Sequence, residues 1–116
     1  MATKPINRYT VQEASNLQVY ENYTSEQITS GTSFVEGTNW VTNGDGVAKQ
    51  VMIIPYTTND ATDAIEVKLK INGTYGDAIK LLFNDFPITI DNLLIDQIEI
   101  KSDEGTDEIF TIIAFH

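Results

Sequence analysis

Apolar residues recur along most of this chain with a period of two. The clearest case is Ala64-Ile65-Glu66-Val67-Lys68-Leu69-Lys70-Ile71, with Ile65, Val67, Leu69 and Ile71 on one side and Glu66, Lys68 and Lys70 on the other. Successive side chains of an extended backbone point to opposite faces, so this alternation predicts a strand with one buried and one wet face. Leu93–Lys101 alternates in the same way, with Leu94, Ile98 and Ile100 expected inward and Gln97, Glu99 and Lys101 outward. Glu108–His116 differs: Ile109, Thr111, Ile113 and Phe115 fall on one face and Phe110, Ile112 and Ala114 on the other. Two apolar faces predict a central strand covered on both sides. Val47–Pro55 carries the run Val51-Met52-Ile53-Ile54 and reads as a further buried strand. Asp77–Phe83 reads as a strand with Ile79 and Leu81 or Leu82 inward, and Phe86–Ile90 as a short apolar segment with Pro87 near its start.

Between these segments lie turn signals. Thr29–Gly46 is rich in Thr, Ser, Gly and Asn, whose side chains bond their own backbone and favour turns and short edge strands. Within it, Ser33–Val35 and Asn39–Thr42 are expected as short strands, and Asn43-Gly44-Asp45-Gly46 as a hairpin turn. Thr57–Asp63 reads as a loop, Asn72-Gly73 as the start of a turn and Asp103–Asp107 as an acidic turn. Leu17, Val19 and Tyr23 also fit period two better than 3.6, and only Val11–Asn16 offers a weak helical turn. Ile and Val together number 22, and β-branched side chains suit a pleated surface. The pattern predicts an all-β fold: an antiparallel β-sandwich or jelly roll of seven to eight short strands with an extended N-terminal arm.

A length of 116 residues suits a single domain. Charge then divides it. Residues 1–12 contain Lys4 and Arg8 and no acid, a charge of +2, while the other 104 residues hold 17 acids and 5 lysines, a charge of −12. This predicts a basic arm over residues 1–12 leading into an acidic sandwich over residues 13–116, and Pro5 disfavours a helix at Lys4. The arm reads either as a frayed terminus or as a segment that lies on an acidic neighbouring subunit. The net charge of −10 argues against nucleic acid, whose phosphates call for clustered Lys and Arg, and against docking on an anionic membrane surface. No apolar stretch follows the first basic residues, so a cytosolic, soluble product is expected. The triplets Asn22-Tyr23-Thr24 and Asn72-Gly73-Thr74 then read as chance composition.

Candidate chemistry is sparse. The sequence has no cysteine and one histidine, His116 at its last position, which removes thiolate chemistry, the usual zinc sets and a disulfide scaffold. His116 is expected to be held by strand contacts rather than to catalyse. Asp60/Asp63, Asp103/Glu104 and Asp107/Glu108 are the best acidic clusters. Calcium favours several oxygen donors, but none of the three has the spacing of a calcium loop, so solvated turn acids are the plainer reading. Asp96 shares the period-two face of Leu94 and Ile98, and a bulge or turn near Asn92 accounts for it more simply than catalysis. The five serines lack a nucleophile context, and no glycine-rich loop opens onto a helix. Trp40, Tyr56 and Tyr75 are candidates for a sugar-stacking platform, with core or rim packing as the alternative. The balance points to a non-enzyme without cofactor or metal.

The segment Phe86-Pro87-Ile88-Thr89-Ile90-Asp91-Asn92-Leu93-Leu94-Ile95-Asp96-Gln97-Ile98-Glu99-Ile100-Lys101, followed by a turn and Phe110-Thr111-Ile112-Ile113-Ala114-Phe115, resembles the closing hairpin of small β-sandwich virion proteins of tailed bacteriophages. The acidic, cysteine-free, Asn/Thr-rich composition is similar to that of head decoration (cement) proteins. The resemblance implies a structural virion protein on the capsid surface, assembled in the host cytoplasm. Its expected partners are the major capsid protein and neighbouring copies of itself, as a homo-oligomer with a trimer favoured. The alternative is a tail, fibre or other surface β-module, carbohydrate binding included. An arm that adds a strand to a neighbour draws affinity from main-chain bonds. Ile6, Arg8 and Tyr9 are the expected anchor: an apolar plug, a charge complementary to acidic bodies, and an aromatic ring. The opposing reading starts the domain's own first strand with them.

Overall fold

The computed structural model describes residues 20–55, 64–102 and 108–116. Nine strands occur among them: β1 (Tyr23–Ser30), β2 (Val35–Glu36), β3 (Ala48–Pro55), β4 (Ala64–Ile71), β5 (Thr74–Tyr75), β6 (Ile79–Leu82), β7 (Ile88–Ile95), β8 (Gln97–Ser102) and β9 (Glu108–Phe115). A 3-10 turn, Phe83–Asp85, links β6 to β7. One sheet has the order β1-β9-β3-β7; the other has β2-β8-β4, with β5 and β6 sharing the far edge of β4. All pairings are antiparallel.

The strand order has a simple origin. β1 pairs with β9, β2 with β8, β3 with β7 and β4 with β6, so the chain is one long antiparallel ribbon whose tip lies between β4 and β6. Successive pairs of the ribbon alternate between the two sheets. Winding it this way brings β9 beside β3 and β8 beside β4, which completes both sheets. This is the eight-stranded jelly roll, with β5 added as a two-residue extra. The protein is therefore an all-β sandwich, as the period-two pattern implies.

The interior is filled by the inward residues of both sheets. Val51, Ile53, Phe110 and Ile112 from one sheet meet Ile65, Val67, Ile98 and Ile100 from the other, and all are essentially inaccessible to water. Side chains of this size bury about 1.5–3 kcal/mol each when removed from water. β4 has the expected bounds, with Ile65, Val67 and Leu69 buried and Ile71 half-buried. β9 is central, between β1 and β3, as expected. Its inner face is buried under the other sheet; its outer residues Ile109, Thr111, Ile113 and Phe115 are half-buried, with Tyr20 and Tyr23 packed against Phe115 at ring centroid distances of 5.4 and 6.4 Å.

Several expectations require correction. Leu93–Lys101 is not one strand. β7 and β8 meet at Asp96, and the chain passes there from one sheet to the other. In β7 the register with β3 runs Gln50↔Asp91 and then Ala48↔Ile95, so Asn92, Leu93 and Leu94 bulge opposite a single residue. Asn92 adopts φ 60° within this bulge. The extra residues shift the side-chain phase: Ile95 is buried and Leu94, expected inward, is 58% exposed. Beyond the crossing Ile98 and Ile100 point inward and Gln97 faces outward, as expected, but Gln97 is covered on that face and buried.

Asn39–Thr42 is not a strand. Trp40 begins a tight turn in which the Asn43 N–H donates to the Asn39 carbonyl (3.0 Å) and the Asp45 and Gly46 N–H groups donate to the Trp40 carbonyl (2.9 and 3.2 Å). Gly44 and Gly46 have φ of 89° and 83°, so Asn43–Gly46 is indeed a turn. Yet it joins β2 of one sheet to β3 of the other, which makes it a sheet crossing rather than a hairpin. Asn72-Gly73, with φ of 52° and 81°, is the true two-residue hairpin turn, joining β4 to β5. β6 is shorter than the expected Asp77–Phe83. Ile79 and Leu81 lie opposite the inward residues Val67 and Ile65, and Leu81 packs on the core. Ile79 is nevertheless 42% exposed, because among the described residues no strand flanks β6 on its other side, and Leu82 points outward.

Candidate functional site

The arm residues Ile6, Arg8 and Tyr9, the 1–12 arm itself, Tyr56, Asp60, Asp63, Asp103, Glu104 and Asp107 lie outside the described residues. The remaining candidates fall on three surfaces of the sandwich.

The first is one end of the sandwich, around Trp40 and His116. The Trp40 side chain is 2% exposed and meets the His116 ring edge-on, at a centroid distance of 5.8 Å and an interplanar angle of 70°. Its ring thus belongs to the core and is lost to any stacking platform. His116 is buried as well. Its Nδ1 lies 2.9 Å from the Gly46 carbonyl and its Nε2 lies 2.8 Å from Thr24 Oγ1. A carbonyl only accepts, so Nδ1 carries a hydrogen and donates. The backbone closes the same ring of contacts: the Glu21 N–H donates to the His116 carbonyl (2.7 Å) and the His116 N–H to the Asn22 carbonyl (2.8 Å). The histidine ties β1, β9 and the Gly46 turn together, and both ring nitrogens are occupied by structural partners. A shallow polar recess lined by Thr24, Glu26, Thr38, Asn43 and Asp45 opens beside Trp40. Its groups are already committed. The Glu26 carboxylate accepts from the Thr38 N–H (2.9 and 3.2 Å) and hydroxyl (3.0 Å), and the Asn43 amide donates to Asp45 (2.9 Å).

The second surface is the outer face of the β2-β8-β4 sheet, which collects the charges of the alternating strands. Lys101 pairs with Glu66 (2.9 Å) and Lys68 with Glu99 (3.6 Å). The Lys68 and Lys101 ammonium groups also sit over the Phe34 ring, 4.5 and 5.2 Å from its centre, and Lys70 sits 5.3 Å from that of Tyr75. The hydrogen bond from Lys101, with the surrounding lysine charges, holds the Glu66 carboxyl below its ordinary value. Burial, followed by the Glu36 and Glu99 charges, pushes the Tyr75 phenol up, and its hydroxyl is buried without a hydrogen-bond partner. Gln97 knits the edge of this face: its amide donates to the Gly37 carbonyl (2.7 Å), and its oxygen accepts from Asn39 (3.3 Å) and Lys70 (3.4 Å). This face is a self-satisfied ion-pair layer.

The third surface is the flank of the sandwich made by β6 and β7. Among the described residues each strand pairs on one side only, β6 with β4 and β7 with β3. Ile79, Leu82, Leu93 and Leu94 are exposed there by 42, 48, 39 and 58%, four of the six exposed large apolar side chains among the described residues. An apolar groove lined by Leu69, Ile71, Tyr75 and Ile79 opens along the same side, where β5 gives way to β6. Leu82 lies opposite Ala64 at one end of β4, and Leu93 and Leu94 lead into Asp96, which bonds to Lys70 near its other end, so the exposed residues are spread along the flank; apolar exposure beside strand edges marks a contact surface.

Two further acids, Asp96 and Glu108, are held within the fold. Asp96 stands at the β7–β8 crossing, where its carboxylate accepts from the Gly73 N–H (2.8 Å), its N–H donates to the Lys70 carbonyl (2.7 Å) and its carbonyl accepts from the Trp40 N–H (2.9 Å). The bulge at Asn92 is the feature expected to account for it. Glu108, expected as a solvated turn acid, is buried at the start of β9. Among the described residues, no group of three or more His, Asp or Glu is placed to hold a metal ion, and no helix is long and apolar enough to cross a membrane. The flank is the one surface that no sequence signal singled out: Leu93 and Leu94 lie in the bulge of β7, and Ile79 and Leu82 lie on β6, whose edge position the local pattern does not contain.

The fold and its surfaces define a jelly-roll module with one apolar side. No family model, curated protein or solved structure matches the chain.

Proposed function

We propose that this chain is a structural virion protein of the head decoration (cement) type, which binds the capsid shell and neighbouring copies of itself through protein contacts. The observation that carries this reading is the flank of β6 and β7: exposed apolar side chains beside two strand edges that are open among the described residues, on a sandwich with a buried apolar interior. Such a surface is matched to another polypeptide rather than to a small substrate. The resemblance of Phe86–Lys101 and Phe110–Phe115 to phage virion proteins supplies the kind of assembly, and the jelly roll is a frequent architecture of virion subunits, though it hosts other functions too. Many copies, each contacting weakly, add stability to a shell through multivalency. The burial of Trp40 removes support from a sugar-stacking row, so the carbohydrate-binding alternative has no observation in its favour.

The test is quantitative mass spectrometry of purified particles of the virus that encodes the chain, with heads separated from tails. A decoration protein is expected with the heads, in numbers comparable to the capsid subunits, and purified protein should rebind to stripped shells. Absence from particles, or a few copies travelling with tails, would overturn the assignment.

A further inference from the structure

We propose that the folded chain deamidates at Asn43, and that the Asp96 carboxylate keeps the other Asn-Gly step, Asn72-Gly73, from doing the same. Asn43-Gly44 and Asn72-Gly73 are the two Asn-Gly steps of the sequence, and all four residues are exposed. Such a step carries its own nucleophile. The Gly nitrogen, once its proton has gone to base, attacks the carbonyl carbon of the Asn side chain. A C–N bond forms there, the side-chain nitrogen takes a proton from water and leaves as ammonia, and a cyclic imide remains. Water then opens the imide at either carbonyl, giving Asp, or iso-Asp with an extra methylene in the main chain. Glycine suits the attacking position because it has no Cβ in the way.

Three features separate the two steps. The first is the backbone. Asn72 and Gly73 have φ of 52° and 81°, the values of a type I′ turn. In that turn ψ of the first central residue is about +30°, which sets the following nitrogen nearly anti to the Cβ. The Gly73 nitrogen therefore faces away from the side chain it would attack, whereas Asn43 is outside the left-handed region. The second is the partner of the attacking nitrogen. The Gly73 N–H donates to an Asp96 carboxylate oxygen at 2.8 Å, so removing its proton would set an anion against an anion. The Gly44 N–H donates to the neutral Val41 carbonyl at 3.2 Å. The third is the side chain. The Asn43 amide donates to Asp45 Oδ2 (2.9 Å), so this side chain leans forward along the chain, on the side of the Gly44 peptide. Conversion at Asn43 replaces that bond by two neighbouring carboxylates. Iso-Asp there also lengthens the turn whose Gly46 carbonyl holds His116 and whose Asp45 and Gly46 N–H groups hold the Trp40 carbonyl. Ageing thus loosens the Trp40 end of the sandwich and spares the β4–β5 hairpin.

The experiment follows the folded full-length chain in mildly alkaline buffer by peptide mapping, with fragment spectra that assign each amide-to-acid mass change to its residue. Asp45-Gly46 can isomerise by the same route, but without a mass change, so it does not disturb the assignment. Asn43 should convert at least about tenfold faster than Asn72, the effect of one pKa unit in N–H acidity. In concentrated urea, where the turns and the Asp96 contact are gone, the two rates should converge. Asp96→Asn keeps the shape of the side chain and removes its charge, and Asp96→Ser is a second charge-free variant should the first fail to fold. In either, conversion of Asn72 and deuterium exchange of the Gly73 N–H, which passes through the same anion, should both rise about tenfold. Exchange of the Gly76 N–H, bonded to the Leu69 carbonyl in the same hairpin, should stay as it was. Equal folded rates, a faster Asn72, or rates in urea as unequal as in the folded chain would overturn the inference. Exchange at Gly76 rising together with Gly73 would overturn the protective role of the Asp96 charge, because the hairpin itself would then have opened.

Discussion

Replacing Trp40 by alanine tests whether the tight turn after β2 is part of the core or a display platform. The side chain is 2% exposed and packs edge-on against the buried His116 ring. A buried tryptophan removes about 150–250 Å² from water. At about 25 cal/mol per Å² this corresponds to roughly 4–6 kcal/mol as an upper value. Large-to-alanine changes in packed interiors cost about 3–5 kcal/mol, and the Trp40 backbone bonds to Asp96, Asp45 and Gly46 survive the substitution, so that range is expected here. A domain of 116 residues has about 6–17 kcal/mol to lose. The variant should therefore fold with a midpoint lowered by about 12–20 °C, at roughly 4 °C per kcal/mol. Chemical denaturation gives the free energy directly. Trp40 is the only tryptophan in the chain, so the emission of the unsubstituted protein reports the same site: blue-shifted and shielded from quenchers when folded, red-shifted on unfolding. A loss below about 1 kcal/mol, or native emission already red and quenchable, would refute the placement of Trp40 in the core, since exposed positions are worth within about 0.5 kcal/mol.

His116→Ala should cost about 2–4 kcal/mol in denaturant unfolding, because it opens a space beside Trp40 and leaves the Gly46 carbonyl and the Thr24 hydroxyl without the ring; a change within error would mean that the ring does not tie the turn to β1. Tyr75 governs the alkaline side. Its folded phenol is held above the ordinary 10.0, so above about pH 10 the unfolded chain releases the proton while the folded chain keeps it, and stability falls with rising pH by at most about 1.4 kcal/mol per unit. Tyr75→Phe should flatten that alkaline limb in urea titrations between pH 9 and about 11.5, and an unchanged slope would refute it. On the acid side, Glu66 is held below its ordinary 4.5, so its contribution is present above that value and is lost as pH falls through its lower folded value; Glu66→Gln should lower stability slightly at pH 7 and remove the same amount from the acid transition, so that the two proteins converge in acid, and curves that stay parallel into acid would refute it.

Alternation in the sequence determined the class of fold and much of the core. Ile65, Val67, Leu69, Ile98, Ile100, Phe110 and Ile112 were legible as inward positions because a strand has a strict period of two, and each segment there runs unbroken. The two apolar faces of Glu108–Phe115 likewise announced a central strand. β1 was nearly silent, since Tyr-Thr-Ser-Glu-Gln-Ile-Thr-Ser has little apolar pattern and its place beside β9 is fixed by main-chain pairing. What local pattern does not contain is where the chain changes sheets. Asp96 and the Trp40–Gly46 turn are crossings set by the winding of the whole ribbon. The bulge at Asn92–Leu94, set by pairing with a distant strand, reversed the facing of Leu94, while Gln97 keeps its outward facing and is buried by Gly37, Asn39 and Lys70. Part of the exposed flank follows from that same long-range register: alternation reads Leu94 as a core residue, and the bulge turns it outward on a strand that, among the described residues, pairs with β3 alone.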